Sequence, residues 1–474
     1  MAKKNMTMLE PFERNGIWWR PCQDNKVPGT LIFDPKNGVS VTLFQPIDVE
    51  FAKKDFSASK LIHGIIDGGL KISLLDCYEV LGDTTFSEHG VYSSSKIVAR
   101  QCVVGAHLCN DSKFNNFRLS IHNYAQFMCR TGIRPATGHD AGFIWDRVNP
   151  VEFEIDGDKI SLGIGAQAPF SIFELSASVK ESATISIITK RPAGDLDEVI
   201  LGVSHSLKTM LEFSLGYPVP IVQFQATATD ACGQDENIEM FFSQSGYATK
   251  KIGNPHHDML FSFCGLPDEN VHYFVRTWHN FYNKNRFTID VVINSGVKIS
   301  GDKRPEQSFF FLISSLEALQ RNRGKTKLSI PEDEFNNIKG LIFGVLPKNE
   351  TGNRMRNRIG GMNEPSLRQR LSDVLDAMPQ CLSDRIIDRN IIVDNFINTR
   401  TLLAHQIDRS ETDNDVLHIW HLTEVLWGIT VIYMLGLLGF SSDQIDGIVK
   451  NKINMLNALH WIEEVSSNPS NNAY

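Results

Sequence analysis

The side chains of Arg400 and His405 could together cut a phosphodiester bond without a metal ion. Histidine takes up and releases a proton near neutral pH, whereas arginine keeps its positive charge and can clamp a phosphate. Both residues lie in the amphipathic run 391–406, which predicts a helix. Because each helical residue advances by about 100°, side chains five positions apart diverge by roughly 140° and do not share one face.

A polar stripe is predicted along this helix, formed by Asp394, Asn398, Thr401 and His405. Apolar residues at positions 392, 396 and 403 mark the side that faces the core. In this interpretation Asn398 or Thr401 hydrogen-bonds to the ring of His405 and sets its tautomer and direction. Arg400 lies near the edge of the stripe and reaches towards a phosphate. The alternative is a surface arginine beside a half-buried histidine that caps the helix.

Two segments carry a resemblance to a known family. The run 391–406 (IIVDNFINTRTLLAHQ) resembles the Arg-x4-6-His segment of HEPN ribonucleases, and more closely the HEPN domain of ApeA-type bacterial anti-phage proteins. The opening run 15–21 (NGIWWRP), followed by 27–31 (VPGTL), looks like the start of the ApeA N-terminal domain. One departure is Thr401, because HEPN nucleases often carry Asn, Asp or His directly after the arginine.

The resemblance implies a metal-independent endoribonuclease of anti-phage defence (abortive infection) that needs no cofactor. A ribose 2′-hydroxyl would attack the adjacent phosphorus and leave a cyclic phosphate and a 5′-hydroxyl. His405 would act as general acid or base, and Arg400 would stabilise charge on the phosphoryl oxygens. Since HEPN enzymes pair two motifs across a shared cleft, the implied assembly is a homodimer or a higher even oligomer. The alternative function is a non-catalytic HEPN module, for interaction or antitoxin-like binding.

A basic segment precedes the motif helix. Residues 321–370 contain eleven Lys or Arg and five acids, within a chain whose net charge is −8. Its densest part holds Arg354, Arg356 and Arg358, which we interpret as an RNA-phosphate track, with a solvated loop as the alternative. The net charge itself argues against a protein that coats nucleic acid indiscriminately.

Several function classes are disfavoured by composition. The eight cysteines form no CxxC pair and none has zinc-finger spacing to a histidine, which favours reduced thiols in a cytoplasmic protein. The pairs at 256–257 and at 418 and 421 lack further ligands at a usable spacing, so no metal site is predicted, although His418 and His421 could line the same groove as the motif. The apolar run 425–440 is shorter than the roughly 20 residues that span a bilayer, so we expect no membrane partner.

The elements that position these residues predict an α+β protein. Residues 1–194 read as a β-rich sandwich or barrel-like domain, in which the Trp18–Trp19 pair is either a base-stacking platform or the plug of the core. Residues 195–300 read as an α/β extension, with a helical stripe at 196–211, strands at 220–226 and 238–242, and a helix at 269–283.

Residues 301–474 read as an all-α bundle of five or six helices, the last at 443–465, with a disordered tail from about 466. The resemblance implies that this bundle is the HEPN ribonuclease domain. The region 1–300 shows no catalytic constellation, so it is expected to sense a phage-derived trigger or to restrain the nuclease.

Overall fold

The computed structural model divides into two compact units, Met1–Asn280 and Phe281–Tyr474. We call the first the sheet unit and the second the helical unit. The predicted α+β class is confirmed, because strands fill the first and helices the second. The structure describes residues 6–21, 23–47, 61–80, 84–87, 90–136, 142–167, 170–171, 176–177, 179–194, 196–230, 232–244, 258–295, 304–322, 328, 330–360, 362–405 and 413–468.

A closed antiparallel barrel forms the first part of the sheet unit. Its strands pair in the order β8-β3-β2-β1-β4-β5, and β5 returns to pair with β8. Their bounds are β1 Phe12–Trp19, β2 Val27–Asp34, β3 Gly38–Leu43, β4 Ile62–Ile66, β5 Leu70–Val80 and β8 Ser95–Val104. The barrel-like assembly predicted from the short alternating runs is therefore present.

An open antiparallel sheet continues from the barrel through β8. The order is β8-β18-β17-β9-β16-β13-β12, and among the described residues three small hairpins lie outside this sheet. The open-sheet strands are β9 Phe114–Ile121, β12 Val151–Ile155, β13 Asp158–Gln167, β16 Lys180–Ile188, β17 Ile221–Thr229 and β18 Asp235–Phe242. The hairpin strands are β6 Thr84–Ser87, β7 Gly90–Ser93, β10 Ile133–Pro135, β11 Phe143–Trp145, β14 Phe170–Ser171 and β15 Ser176–Ala177.

Strict alternation of apolar and polar residues builds the barrel core. Leu31 and Phe33 of β2 are fully buried, and Val41 of β3 is nearly so. Trp18 is also fully buried and donates a hydrogen bond from Nε1 to the carbonyl oxygen of Gly29 at 3.3 Å. Trp18 is thus the plug of the β-core and not a stacking platform, because a buried indole must satisfy its N–H within the protein.

The described part of the sheet unit also contains the helices α1 Tyr124–Met128, which contacts β16, α2 Leu196–Ile200 and α3 Val203–Leu215. The helical stripe predicted at 196–211 is divided between α2 and α3, which ends at Gly216 in a left-handed conformation (φ 75°). Cys129, directly after α1, forms a disulfide with Cys264, with their Cα atoms 4.8 Å apart. The expectation that all cysteines are reduced thiols is wrong for this pair. The disulfide could not be predicted, because two cysteines 135 residues apart form no local sequence pattern.

The two units divide within α4, Asp268–Ser295, which is interrupted by non-helical backbone at Asn285. The later helices are α5 Pro305–Asn322, α6 Glu332–Val345, α7 Glu350–Gly360, α8 Leu367–Asp376, α9 Gln380–Ser383, α10 Arg389–His405, α11 Asp413–Leu437, α12 Ser442–Asn451, α13 Ile453–Ala458 and α14 Ile462–Ser467. Strands β17 and β18 belong to the same sheet as the strands before residue 194. The predicted domain boundaries at 194 and 300 stay predictions.

Helix α11 forms the centre of the helical unit. Residues from Leu422 to Leu435 are buried, and Trp427 donates from Nε1 to the carbonyl oxygen of Val292 at 2.9 Å. Within the described chain, the segment Val416–Leu437 is long and apolar enough to cross a membrane, but 83% of its most apolar window is buried inside the fold. Burial of this extent is typical of the core helix of a bundle.

Two predictions about the helical unit need correction. The predicted single helix at 443–465 is three helices, because Lys452 between α12 and α13 has extended backbone (φ −97°, ψ 124°) and residues 459–461 between α13 and α14 form turns. The prediction of a disordered tail is wrong at Ser466. This residue is buried, and its hydroxyl accepts a hydrogen bond from the backbone N–H of Ile387 at 3.0 Å. Residues 469–474 of the predicted tail lie outside the described residues.

Candidate active site

Helix α10 carries the predicted motif, and its start is fixed by a side-chain cap. The carboxylate of Asp388 accepts a hydrogen bond from the backbone N–H of Asn390 at 2.7 Å, which satisfies one donor that the helix leaves open. Ile392 and Phe396 are almost completely buried, and the ring of Phe396 lies 6.1 Å from that of Phe309 in α5. The predicted core side of the helix is confirmed at these two positions.

A buried asparagine fixes the depth at which α10 lies. The amide of Asn395 is fully buried and donates to the carbonyl oxygens of Val465 and Asn468, both at 2.9 Å. These bonds join the motif helix to the C-terminal end of α14. Asn395 was not among the predicted site residues, because a polar residue on the apolar side of a helix gives no indication of its partner.

Arg400 lies where α10 meets α5. Its Nη2 is 3.7 Å from Oε2 of Glu317, and the arginine side chain is 37% exposed. The Nε–H of Arg400 is shielded from solvent, and among the described residues it has no hydrogen-bond acceptor. One edge of the guanidinium therefore faces a carboxylate, and the exposed part of the side chain is accessible to an additional anion.

An alternating chain of charges runs from Arg400 into the helical unit. Glu317 also accepts a hydrogen bond from Arg321 at 3.4 Å, and Arg321 lies 3.5 Å from Glu364. Glu364 is in turn 3.5 Å from Arg370, whose side chain is almost completely buried. Glu317, Glu364 and Arg370 were not among the predicted site residues, although the four-residue spacing of Glu317 and Arg321 is a recognisable helical ion pair.

The predicted polar stripe is present in part. Asn398 and Thr401 are exposed, and the hydroxyl of Thr401 donates to the carbonyl oxygen of Ile397 within its own helix at 2.9 Å. Asp394 is held in an ion pair by Arg368. His405 is the last residue of α10, and its side chain lies outside the described part of the structure, so the predicted roles of Asn398 and Thr401 towards its ring stay predictions.

The predicted RNA track lies on a helix, α7, and not on a loop. Arg354 pairs with Glu350 at 2.6 Å, and Arg356 donates to the carbonyl oxygen of Leu346 at 2.8 Å. Arg354 and Arg358 are exposed, whereas Arg356 is half-buried. In the described residues no hydrogen bond or ion pair joins α7 to the motif helix.

His421 has a packing environment. Its ring stacks on that of Trp461 with 3.7 Å between centroids, and Nδ1 lies 3.3 Å from Oε1 of Glu464. A position for His418 in the groove stays a prediction, and the pair at 256–257 lies outside the described residues. Within the part of the chain that the structure describes, no cluster of three or more His, Cys, Asp or Glu could hold a metal ion.

Comparison with protein families gives two matches. The family model for the ApeA N-terminal domain 1 matches residues 13–276, more than half of the chain, and the Apea-like HEPN model matches residues 311–444. Arg400, His405 and Glu317 all lie within the second match. Comparisons with curated proteins and with solved structures find no match.

Proposed function

From the premise that the chain belongs to the ApeA family of anti-phage HEPN nucleases, we propose that it is a metal-independent endoribonuclease active in abortive infection. The observation that supports this most directly is the environment of Arg400. Its guanidinium is partly exposed, and one edge faces Glu317. A phosphate oxygen would accept hydrogen bonds from the exposed N–H donors of this guanidinium.

The proposed reaction is an intramolecular transesterification of RNA. The 2′-oxygen of a ribose forms a bond to the adjacent phosphorus, and the bond from phosphorus to the 5′-oxygen of the next nucleotide breaks. One proton leaves the 2′-hydroxyl and another reaches the departing 5′-oxygen. His405 carries out a proton transfer as general base or acid. Arg400 stabilises the negative charge that develops on the phosphoryl oxygens.

Two proton transfers in one step require two groups, so we propose a homodimer or a higher even oligomer. In this assembly the α10 helices of two copies face each other across a shared cleft, and each contributes an imidazole. A chain that sediments as a monomer while cutting RNA at its full rate would contradict this assembly.

RNA is proposed to approach along α7. Arg354 and Arg358 are exposed and can contact phosphates. Arg356 donates to the backbone carbonyl oxygen of Leu346 and therefore contributes mainly to the shape of the segment.

The region 1–300 is proposed to sense a phage-derived trigger and to restrain the nuclease in the cytoplasm of a resting cell. A fragment that retains Phe281–Tyr474 should therefore be more toxic to its host than the full chain. It must start at Phe281, because the helical unit begins there and includes Val292, the acceptor for Trp427. A folded, dimeric fragment with no more activity than the full chain would show that the region recruits substrate or completes the dimer instead.

A second candidate function is a non-catalytic HEPN module. The observation that favours it is Thr401, which stands directly after Arg400 and donates its hydroxyl to the backbone of its own helix. A hydroxyl engaged in this way contributes less to an adjacent catalytic group than a free Asn, Asp or His side chain.

The experiment that separates the two candidates uses purified full chain, total RNA and an excess of EDTA. We expect cleavage in EDTA, with 2′,3′-cyclic phosphate and 5′-hydroxyl ends, and loss of cleavage in His405→Ala. Activity that vanishes in EDTA and returns with magnesium or manganese would overturn the proposed chemistry. Absence of cleavage under all conditions, with specific binding of RNA or protein retained, would favour the second candidate.

A further inference from the structure

Glu317 is the acid that faces Arg400 in the described helical unit, and it is not part of the Arg-x4-His motif. It lies on α5, and its side chain is 23% exposed. Its two oxygens are divided between two arginines: Oε1 accepts from Arg321 at 3.4 Å, and Oε2 lies 3.7 Å from Nη2 of Arg400.

Glu317 is linked to a buried arginine through Arg321 and Glu364, whose side chains are 59% and 61% exposed. Arg321 is shared between Glu317 and Glu364, and Glu364 is shared between Arg321 and Arg370. Arg370 is 3% exposed and donates from Nε to the carbonyl oxygen of Pro365 at 3.1 Å. A carboxylate shared between two arginines has fewer favourable rotamers than an isolated surface acid, and Glu317 is shared between Arg321 and Arg400.

The distance between Glu317 and Arg400 indicates what the contact can do. At 3.7 Å the Oε2–Nη2 contact is an electrostatic attraction that is longer than a hydrogen bond. It orients one edge of the guanidinium without occupying the donors on the other edges. Arginine presents five N–H donors in a planar fork, so an oriented Arg400 can still bind a phosphate at two points.

We propose that Glu317 is a positioning residue for Arg400 in the proposed ribonuclease reaction. It holds the guanidinium in the direction from which the exposed N–H donors meet the phosphoryl oxygens as charge develops. The catalytic consequence of this inference rests on the proposed function. The positioning of Arg400 by Glu317 rests on the geometry alone.

Glu317 has opposite effects on binding and on turnover. A carboxylate close to the phosphate path repels the negatively charged substrate, so its removal leaves RNA binding unchanged or makes it tighter. The same removal lets the guanidinium rotate, and misplacement by about 1 Å can cost about a hundredfold in rate. A lower kcat without a higher KM is therefore the signature of positioning. A purely structural ion pair would instead change thermal stability and leave the kcat of the folded protein unchanged.

The test compares full-chain wild type with Glu317→Gln, Glu317→Asp and Asp376→Asn on a single-stranded RNA oligonucleotide in EDTA. Asp376 is a matched control, because it is an exposed acid of the same unit that pairs with Arg389 at 2.6 Å. We expect kcat of Glu317→Gln to fall about ten- to hundredfold with KM unchanged or lower. Glu317→Asp should recover part of the loss, and Asp376→Asn should match the wild type. An unchanged or raised kcat, or an effect confined to KM, would overturn the proposal.

A second measurement does not depend on cleavage. In full-chain protein labelled with ¹⁵N-arginine, the Nε–H signal of Arg400 is assigned by its loss in Arg400→Lys. We expect slow hydrogen exchange at this shielded N–H in the wild type, and fast exchange or broadening in Glu317→Gln. The same exchange rate in both proteins overturns positioning even if RNA is cleaved. If the wild type does not cleave RNA but the signal changes, the proposed function fails and the positioning of Arg400 stands.

Discussion

Two groups of polar side chains, one in the sheet unit and one in the helical unit, have different kinds of partner. In the sheet unit, His63 and Gln244 are buried and hydrogen-bond to backbone: Nε2 of His63 lies 2.7 Å from the carbonyl oxygen of Leu108, and Gln244 bonds both the N–H and the carbonyl oxygen of Ile221. Burial lowers the pKa of His63 and so favours its neutral form. In the helical unit, charged side chains bond to one another in the series from Arg370 to Arg400.

This difference indicates which of the two units can carry out chemistry. Side chains that satisfy backbone groups fix the strands in place and leave little for a ligand to bind. A series of paired charges that ends on a half-exposed arginine offers an anion a preorganised cation. Variants that act on one unit and not on the other test this difference.

The largest effect is expected from Arg400. Arg400→Ala should reduce RNA cleavage by about 10²-fold or more, since it removes the cation from the developing phosphoryl charge. Arg400→Lys should restore little, because a lysine lacks the two-point donor fork. The free energy of unfolding should change little in either variant. Cleavage rates and urea unfolding measure the two quantities.

Arg389→Ala is the control for Arg400, since Arg389 lies at the start of the same helix and pairs with Asp376. Equal losses of cleavage in Arg389→Ala and Arg400→Ala would mean that helix stability, and not the guanidinium of Arg400, limits the reaction.

The next effect is expected in the sheet unit at Gly64. A Cβ atom there would lie 2.4 Å from Cε3 and Cζ3 of Trp18, whose ring is enclosed in the barrel. Gly64→Ala should therefore lower the free energy of unfolding by about 1–3 kcal/mol. Hydrogen exchange of the β1 and β4 amides would measure this loss of unfolding free energy. Gly163→Ala is the control, because its nearest neighbouring atom is 3.9 Å away; similar losses in both variants would refute the steric reason.

A smaller effect is expected at Asn395, a buried residue that hydrogen-bonds to backbone and lies on the motif helix. Asn395→Ala removes the donor to the buried carbonyl oxygens of Val465 and Asn468, at a cost of about 1–2 kcal/mol. Cleavage should fall with it, since α10 loses its anchor. Asn398→Ala on the exposed side of the same helix should change the unfolding free energy by under about 0.5 kcal/mol. Urea unfolding of both variants checks this, and an equal cost at the two positions would contradict the anchor.

The smallest effect is expected from pH at Glu424. Burial raises the pKa of its carboxyl above the ordinary value of 4.5, against a hydrogen bond from Trp420 that lowers it. The folded state therefore holds this proton more tightly than the unfolded state, so stability is lost as the pH rises from 4.5 through the raised pKa. Glu424→Gln should raise Tm at pH 7.5 and have less effect at pH 4.5. A gain of the same size at both pH values would exclude burial of the charge as the cause.

Much of the fold could be predicted because its causes are local. Alternation along 39–43 and 151–155 predicts strands, and β3 and β12 contain these residues. Helix α10 follows from the apolar spacing of residues such as Ile392 and Phe396. The break at Lys452 could not be predicted, since lysine accepts both helical and extended backbone and no glycine or proline marks the site.

The surroundings of the site could not be predicted for a different reason. Glu317 and Arg400 are 83 positions apart, and nothing in either local pattern encodes a contact between two helices. The same limit applies to Cys129 and Cys264. Residue types and spacing identify a candidate arginine, whereas its counter-charge depends on how α5 and α10 pack.

Strand β8 belongs to two hydrogen-bonded systems in succession. From Ser95 to Ala99 it pairs with β3, from Gln101 to Val104 it pairs with β18, and β5 lies along its other side. A β-ladder shifts only by whole residues, and a shift by one residue turns every side chain to the opposite face. Strand β8 therefore cannot slip in the open sheet without breaking the barrel. The two halves of the sheet unit should open to solvent as a single cooperative element, so that strain applied at either half is shared by the whole unit.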